Sequence, residues 1–321
     1  MREIALRIPI LLIAFNRPKT LSRQLQRIEA LKSRRIQISI DGPRGIKDQK
    51  VIQEVRLIAE KWAEGSKHEV DILASDSNLG LHGHFQVAFA KFFGNHSYGL
   101  VLEDDIDFNP EFVNFLDLNF SGNQYLRDAW STMGHNPFHS VNVSHQHRVQ
   151  FFESKVHTIW GWASSDVNVE KFLTIYNNDQ REQIAVKAID EVSVHFTKDI
   201  FLRNAISATW RRKISRATQG GGGWDNWWVV AGWESGLNSL MPDHSLSREE
   251  LGQTEGQSHE HLTVDLNWNP NLKADISSDF QKCDMRYDRN ALKLWGIGRR
   301  YSWAYAHRIS NELKVFESQG W

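Results

Sequence analysis

The sequence predicts an α/β fold: a mostly parallel central sheet with helices on both faces, followed by a C-terminal extension. Two observations carry this expectation. In the first third, apolar runs of strand length alternate with segments of helical period, separated by turn residues. The 321 residues are 40% hydrophobic and 24% charged, a globular balance with enough apolar mass for one large α/β unit.

The elements follow in order. Ile10–Phe15 is a continuous apolar run of buried-strand length, stopped by Asn16-Arg17-Pro18. Leu21, Leu25, Ile28 and Leu31 then recur at helical spacing, with Pro18 suited to a helix start. Ile36, Ile38 and Ile40 alternate before Asp41-Gly42-Pro43, giving a second strand and a turn. Val51, Val55, Ile58 and Trp62 mark a second helix, and Val70–Ala74 a third strand. The segment Asn78–Gly83 reads as a loop, Phe85–Phe93 as a helix, and Tyr98–Leu102 as a fourth strand running into Glu103-Asp104-Asp105. Strands alternating with helices imply right-handed crossovers and a parallel arrangement.

Beyond residue 120 the rhythm fails. Ser121–Gln150 is polar without clear period, read as loops with short strands, and Val186–Ile206 reads as one helix. Gly220–Gly223 is a glycine run, and no internal repeat is evident. The reading is one compact unit with a C-terminal extension.

Composition excludes several function classes. Lysine and arginine total 38 against 39 acids, so the overall basic signature of a nucleic-acid binder is missing. The lone Cys283 excludes an internal disulfide and a cysteine-based zinc site. No apolar run approaches the roughly 20 residues that span a bilayer, and no cleavable leader is recognisable; the expected location is the cytoplasm. Thirteen tryptophans stand out. Most should pack in the core, although such rings also suit the apolar faces of sugars. Trp224, Trp227 and Trp228 are too close together to be expected in one environment.

The candidate site lies at the strand ends, where open parallel sheets bind ligands. Ala14, Asn16 and Arg17 follow the first strand, Asp41 the second, Asn78 and Gly80 the third, and Glu103, Asp104 and Asp105 the fourth. Successive carboxylates leaving a buried strand repel one another and lose hydration, which calls for positive compensation. A hard divalent cation provides it and can also hold a diphosphate; a solvated acidic turn is the alternative.

Val101-Leu102-Glu103-Asp104-Asp105 resembles the acidic metal motif of GT-A glycosyltransferases, in the Glu-Asp-Asp form of the N-acetylglucosaminyltransferases and their bacterial relatives. Trp224-Asp225-Asn226-Trp227 resembles the family's Trp-Asp-Asp-Trp segment, with Asn226 in place of the second acid. Leu251-Gly252-Gln253 and Ser258-His259 resemble a later loop in which Phe-Gly precedes Ser-His. The three blocks keep the family's order across about residues 8–262; the C-terminal segment matches no part of it.

The resemblance implies a GT-A, Rossmann-like domain over residues 1–270, with a nucleotide-binding half (1–120) and an acceptor half (121–270), then an extension over 271–321. It implies an inverting glycosyltransferase that moves a sugar from a nucleoside diphosphate sugar, a UDP-sugar by preference, to a hydroxyl of a glycan or glycolipid. Ala14, Asn16 and Arg17 would line the base, and Asp41 would contact the uridine or ribose. Asn78, Gly80, Glu103 and Asp104 would complete the donor site, and Trp162 in Trp160-Gly161-Trp162 would lie near the sugar. Asp105, with His259, would hold Mn2+ or Mg2+, and Asp225 would be the catalytic base. Bare sequence also reads Asp225 as a helix N-cap.

Three segments stay secondary. The segment Ser247–Glu260 carries possible hinges and is consistent with a lid. Arg211, Arg212, Lys213 and Arg216 read as a solvated basic face. Basic and aromatic residues between Arg286 and Arg308 read as a helix packed on the domain, with peripheral contact to an anionic membrane as the other option.

Overall fold

The protein is described here by a computed structural model covering residues 7–120, 122–137, 148–220, 223–249 and 275–276. Its first part contains β1 (Ile10–Ala14), α1 (Pro18–Glu29), β2 (Arg35–Ile40), α2 (Ile46–Gly65), β3 (Glu69–Ala74), α3 (Gly80–Phe93) and β4 (Tyr98–Glu103). There follow β5 (Ile106–Phe108), α4 (Pro110–Asn119), α5 (Gln124–Asp128), β6 (Thr132–Met133), β7 (Arg148–Val149), β8 (Phe151–Ser154) and β9 (Trp162–Ser165). The rest comprises α6 (Asp166–Tyr176), α7 (Arg181–Phe196), α8 (Ile200–Thr218), α9 (Asp225–Glu234), β10 (Ser239–Pro242), β11 (Ser247–Glu249) and β12 (Asp275–Ile276).

Eight strands form one sheet in the order β3-β2-β1-β4-β9-β6-β10-β8. β3, β2, β1 and β4 are mutually parallel, as the alternating pattern predicts. β9 runs antiparallel between β4 and β6, β10 is parallel to β6, and β8 closes the sheet antiparallel to β10. The result is a mostly parallel, Rossmann-like sheet flanked by helices. Two small pairs lie outside it, β5 with β11 and β7 with β12.

Side-chain alternation on β1 builds a core on each face. Leu11 and Ile13 join Phe85, Phe89 and Phe92 of α3 and the tryptophans of the second half. Ile10, Leu12 and Ala14 join Leu21, Leu25 and Ile28 of α1, Val55 and Ala59 of α2, and Phe112 of α4. A strand buried on both faces needs apolar residues at every position, which is why β1 reads as an unbroken run.

Three expectations are corrected. Asn78–Gly83 is only partly a loop, because α3 starts at Gly80, whose φ of 72° lies in the left-handed region that favours glycine. The predicted helix over 186–206 is two, α7 and α8, separated at Thr197-Lys198-Asp199; Asp199 caps α8 by accepting from the Phe201 and Leu202 amides. Trp224, Trp227 and Trp228 share one core after all, at 3%, 1% and 0% exposure. They divide it by direction: Trp224 stacks on Phe85, Trp228 meets Trp130 and Trp162, and Trp227 meets Tyr176 under the Arg181 guanidinium.

Candidate active site at the strand ends

Sheet register creates the site. Ala14 pairs with Ile40, Ile40 with Ala74, and Ile13 with Glu103, so the four parallel strands end nearly level. Whatever follows those ends must share one edge. A cavity of about 640 Å³ opens there, lined by Ala14–Arg17, Asp41, Asn78, Gly80, Glu103–Asp105 and, from the second half, Asp225. Its size falls in the usual range for small-molecule sites.

Asp104 is the pivot of the acidic end. Its amide donates to the Ile13 carbonyl at 2.9 Å, extending the β1–β4 ladder by one bond. Its Oδ2 accepts from the Phe15 amide at 3.4 Å. The Arg17 guanidinium lies across the acids, 2.6 Å from Asp104 Oδ1 and hydrogen-bonded to Asp105 Oδ2. Asp104 Oδ1 has close charge but no aligned hydrogen bond.

These charges shift one another. Burial, followed by the neighbouring Asp105 charge, pushes Glu103 up to about 8 although Arg17 pulls it down. Burial pushes Asp104 up to about 7, again against Arg17. Burial opposes the Arg17 charge, but Asp104, Asp105 and Glu103 together outweigh it and hold the guanidinium protonated.

Asp41 sits in a cage. Its Oδ1 accepts from the Gly42 and Leu79 amides, each at 2.8 Å, and its Oδ2 accepts from Asn78 Nδ2 at 2.8 Å. Asn78 Nδ2 also reaches the Gly42 carbonyl at 2.9 Å. The loops after β2 and β3 are thereby locked together, leaving Asp41 4% exposed. Behind it, His84 Nε2 lies 2.9 Å from Ser39 Oγ, and burial lowers its pKa against the Asp41 charge.

Asp225 reaches the cavity from the first turn of α9, where the helix dipole favours a carboxylate. The residue at the N-cap is Trp224, which corrects the capping expectation for Asp225. The carboxylate folds back over Gly223, where a Cβ would collide with Asp225 Oδ1. Burial raises the Asp225 pKa, with Lys213 the largest opposing influence. Lys213 is accordingly not on a solvated face: it is half-buried, its ammonium lies 4.4 Å from the Trp210 ring centroid, and its pKa is lowered by burial.

The structure therefore brings together Ala14, Asn16, Arg17, Asp41, Asn78, Gly80, Glu103, Asp104, Asp105 and Asp225. Trp162 is corrected: it is 1% exposed and packs in the core against Phe89, Trp224 and Trp228. Trp160 lines the cavity instead, with the His135 ring 4.6 Å away. His259, Leu251-Gly252-Gln253 and residues 277–321 lie outside the described residues. Of the expected lid, Ser247–Glu249 is β11, paired with β5.

Sequence reasoning missed Arg44 and His84, which also line the cavity, while Phe15 falls within the Ala14–Arg17 stretch expected at the base. The Arg44 guanidinium lies 4.9 Å from the Phe15 centroid, placing an aromatic ring and a cation beside the Asp41 cage. Arg44 lies in the loop after β2, a weak signal, whereas His84 lies within α3 and carried none.

Among the described residues, no three His, Cys, Asp or Glu side chains converge to enclose a metal ion. No helix among them is long and apolar enough to cross a membrane. No known family model matches the sequence, and no curated protein matches it.

Proposed function

We propose that the chain is an inverting, metal-dependent glycosyltransferase of the GT-A type, with a UDP-sugar as donor and a glycan or glycolipid hydroxyl as acceptor. One observation carries the reading: an acidic strand end, a caged Asp41 and a buried carboxylate from the other half of the chain share one cavity. Nucleotide, diphosphate and acceptor would lie in that order across it.

Phe15 and Arg44 offer flat faces to the base, with Asp41 nearby for base or ribose. Metals of the magnesium type are commonly held by one or two carboxylates together with substrate phosphates, so three converging protein ligands are not required. The acids at the β4 end fit that pattern, and Asp104 Oδ1 still lacks an aligned donor. Asp105 would hold Mn2+ or Mg2+, which when bound supplies charge neutralisation for the leaving diphosphate.

Asp225 takes the proton of the acceptor hydroxyl. That oxygen bonds to the anomeric carbon as the bond from carbon to diphosphate oxygen breaks and the nucleoside diphosphate departs. A single displacement inverts the anomeric centre. Burial raises the Asp225 pKa, which strengthens it as a base; proton transfer to a positioned base contributes about 10²–10⁴ in rate.

Calorimetry with UDP and Mn2+ tests the donor site. Wild type should bind UDP in a metal-dependent manner, and Asp105→Ala should lose that dependence. Asp225→Asn should retain UDP binding while transfer falls by at least about 10²-fold. Unchanged turnover would reject Asp225 as the base, and a failure of wild type to bind any nucleotide would reject the glycosyltransferase reading.

A further inference from the structure

We propose that Arg17 is a built-in counter-ion that keeps solution cations off the acids until a diphosphate arrives, and that metal and diphosphate then enter by exchange. In this exchange Arg17 yields Asp105 to the metal and transfers its guanidinium to the diphosphate. The inference rests on the donor-site reading above and adds an order and a coupling to it.

Placement is the first argument. Arg17 lies three residues past the end of β1 and is the N-cap residue of α1, with Pro18 next in the chain. Proline restricts the preceding backbone, so the anchor is stiff while the long side chain keeps its freedom. The side chain is 29% exposed, against 1% for Asp104 and 15% for Asp105, so the guanidinium lies on the solvent side of the acids it covers.

Competition is the second. A cation entering from solution needs carboxylate oxygens, and both Asp104 and Asp105 are ion-paired to Arg17. Bare metal would gain those oxygens only by stranding a guanidinium in a cleft, an uncompensated charge. A diphosphate removes this conflict, because it brings enough negative charge for both cations. Its paired oxygens also suit the planar fork of arginine better than a point charge. Metal and nucleotide should therefore bind with positive coupling, which by linkage acts equally in both directions.

The test is Mn2+ binding to the full chain by calorimetry, with and without UDP, in wild type, Arg17→Gln and Arg17→Lys. With the counter-ion gone, Arg17→Gln should bind bare Mn2+ at least about tenfold more tightly than wild type. Its affinity for UDP in the presence of Mn2+ should fall by a similar factor, within the usual range of coupling. Lysine should loosen the clamp only in part, giving a several-fold gain for bare Mn2+, and it serves if the glutamine variant does not fold.

Bare-metal affinity that is unchanged or weaker in the folded variants would overturn the exchange while leaving the donor site intact. Wild type binding bare Mn2+ as tightly as the Mn2+–UDP pair would do the same. Absence of both Mn2+ and UDP binding in every protein would overturn the donor-site reading, and the exchange with it.

Discussion

Replacing Gly42 by alanine adds one methyl group at the point where two loops of the cavity meet. That Cβ would overlap the Ser77 carbonyl group and lie 2.7 Å from the Ser75 carbonyl oxygen. All of these atoms are backbone, so the loop after β3 must retreat by about 1 Å to restore ordinary contact, a strain of about 1–3 kcal/mol. Retreat also pulls Asn78 Nδ2 and the Leu79 amide from Asp41, each bonded at 2.8 Å. A buried carboxylate losing such donors costs about another 1–3 kcal/mol. Stiffening of the unfolded chain returns only about 0.4–1 kcal/mol. The net expectation is a loss of about 1–6 kcal/mol in urea unfolding, together with weakened nucleotide binding. A loss below about 1 kcal/mol with unaltered nucleotide affinity would refute both the cage and its place in the site.

Two other perturbations probe the scaffold and its titration. Arg34, 0% exposed, donates to both oxygens of Asp117 at 3.1 and 3.2 Å, so Arg34→Met should cost up to about 3 kcal/mol in urea unfolding by leaving the half-buried Asp117 carboxylate with the Ile8 amide but no counter-charge. The double variant with Asp117→Leu should regain much of that loss, and additive losses would contradict a paired origin. Burial lowers the His84 pKa below its unfolded value of 6.5, so the unfolded chain takes up the extra proton in mild acid. The stability that His84 contributes is thus complete above about pH 6.5 and lost as pH falls toward its folded pKa, at up to about 1.4 kcal/mol per pH unit. Because the raised pKa values of Glu103 and Asp104 act in the opposite direction, the difference between wild type and His84→Gln is the quantity to follow. A pH-independent difference would remove His84 from the account.

The parallel strands were legible because burial on both faces forces every position of β1 to be apolar and leaves a polar residue at each strand end. The same logic locates Asp41, Asn78 and the β4 acids from the sequence alone. Legibility failed where position depends on backbone conformation rather than period. Trp160 and Trp162 are two residues apart and would share a face in an extended strand. Gly161 has a φ of 70° and β9 begins only at Trp162, so one ring lines the cavity and the other enters the core. The α7–α8 break escaped notice because Thr197-Lys198-Asp199 contains neither glycine nor proline. Lys213 was readable in principle, since Trp210, Lys213, Ile214 and Ala217 fall on one helical face, and three of the four are buried.

The sharing of β1 between two cores bears on how the molecule opens. Leu11 and Ile13 belong to one core and Ile10, Leu12 and Ala14 to the other, so neither can melt without freeing the same five residues. The two faces of the sheet are therefore tied into a single cooperative unit. Backbone amides of β1 should be among the last to exchange with deuterium, reporting the global unfolding free energy. Arg17, three residues beyond this strand, is thus anchored next to a segment packed on both faces.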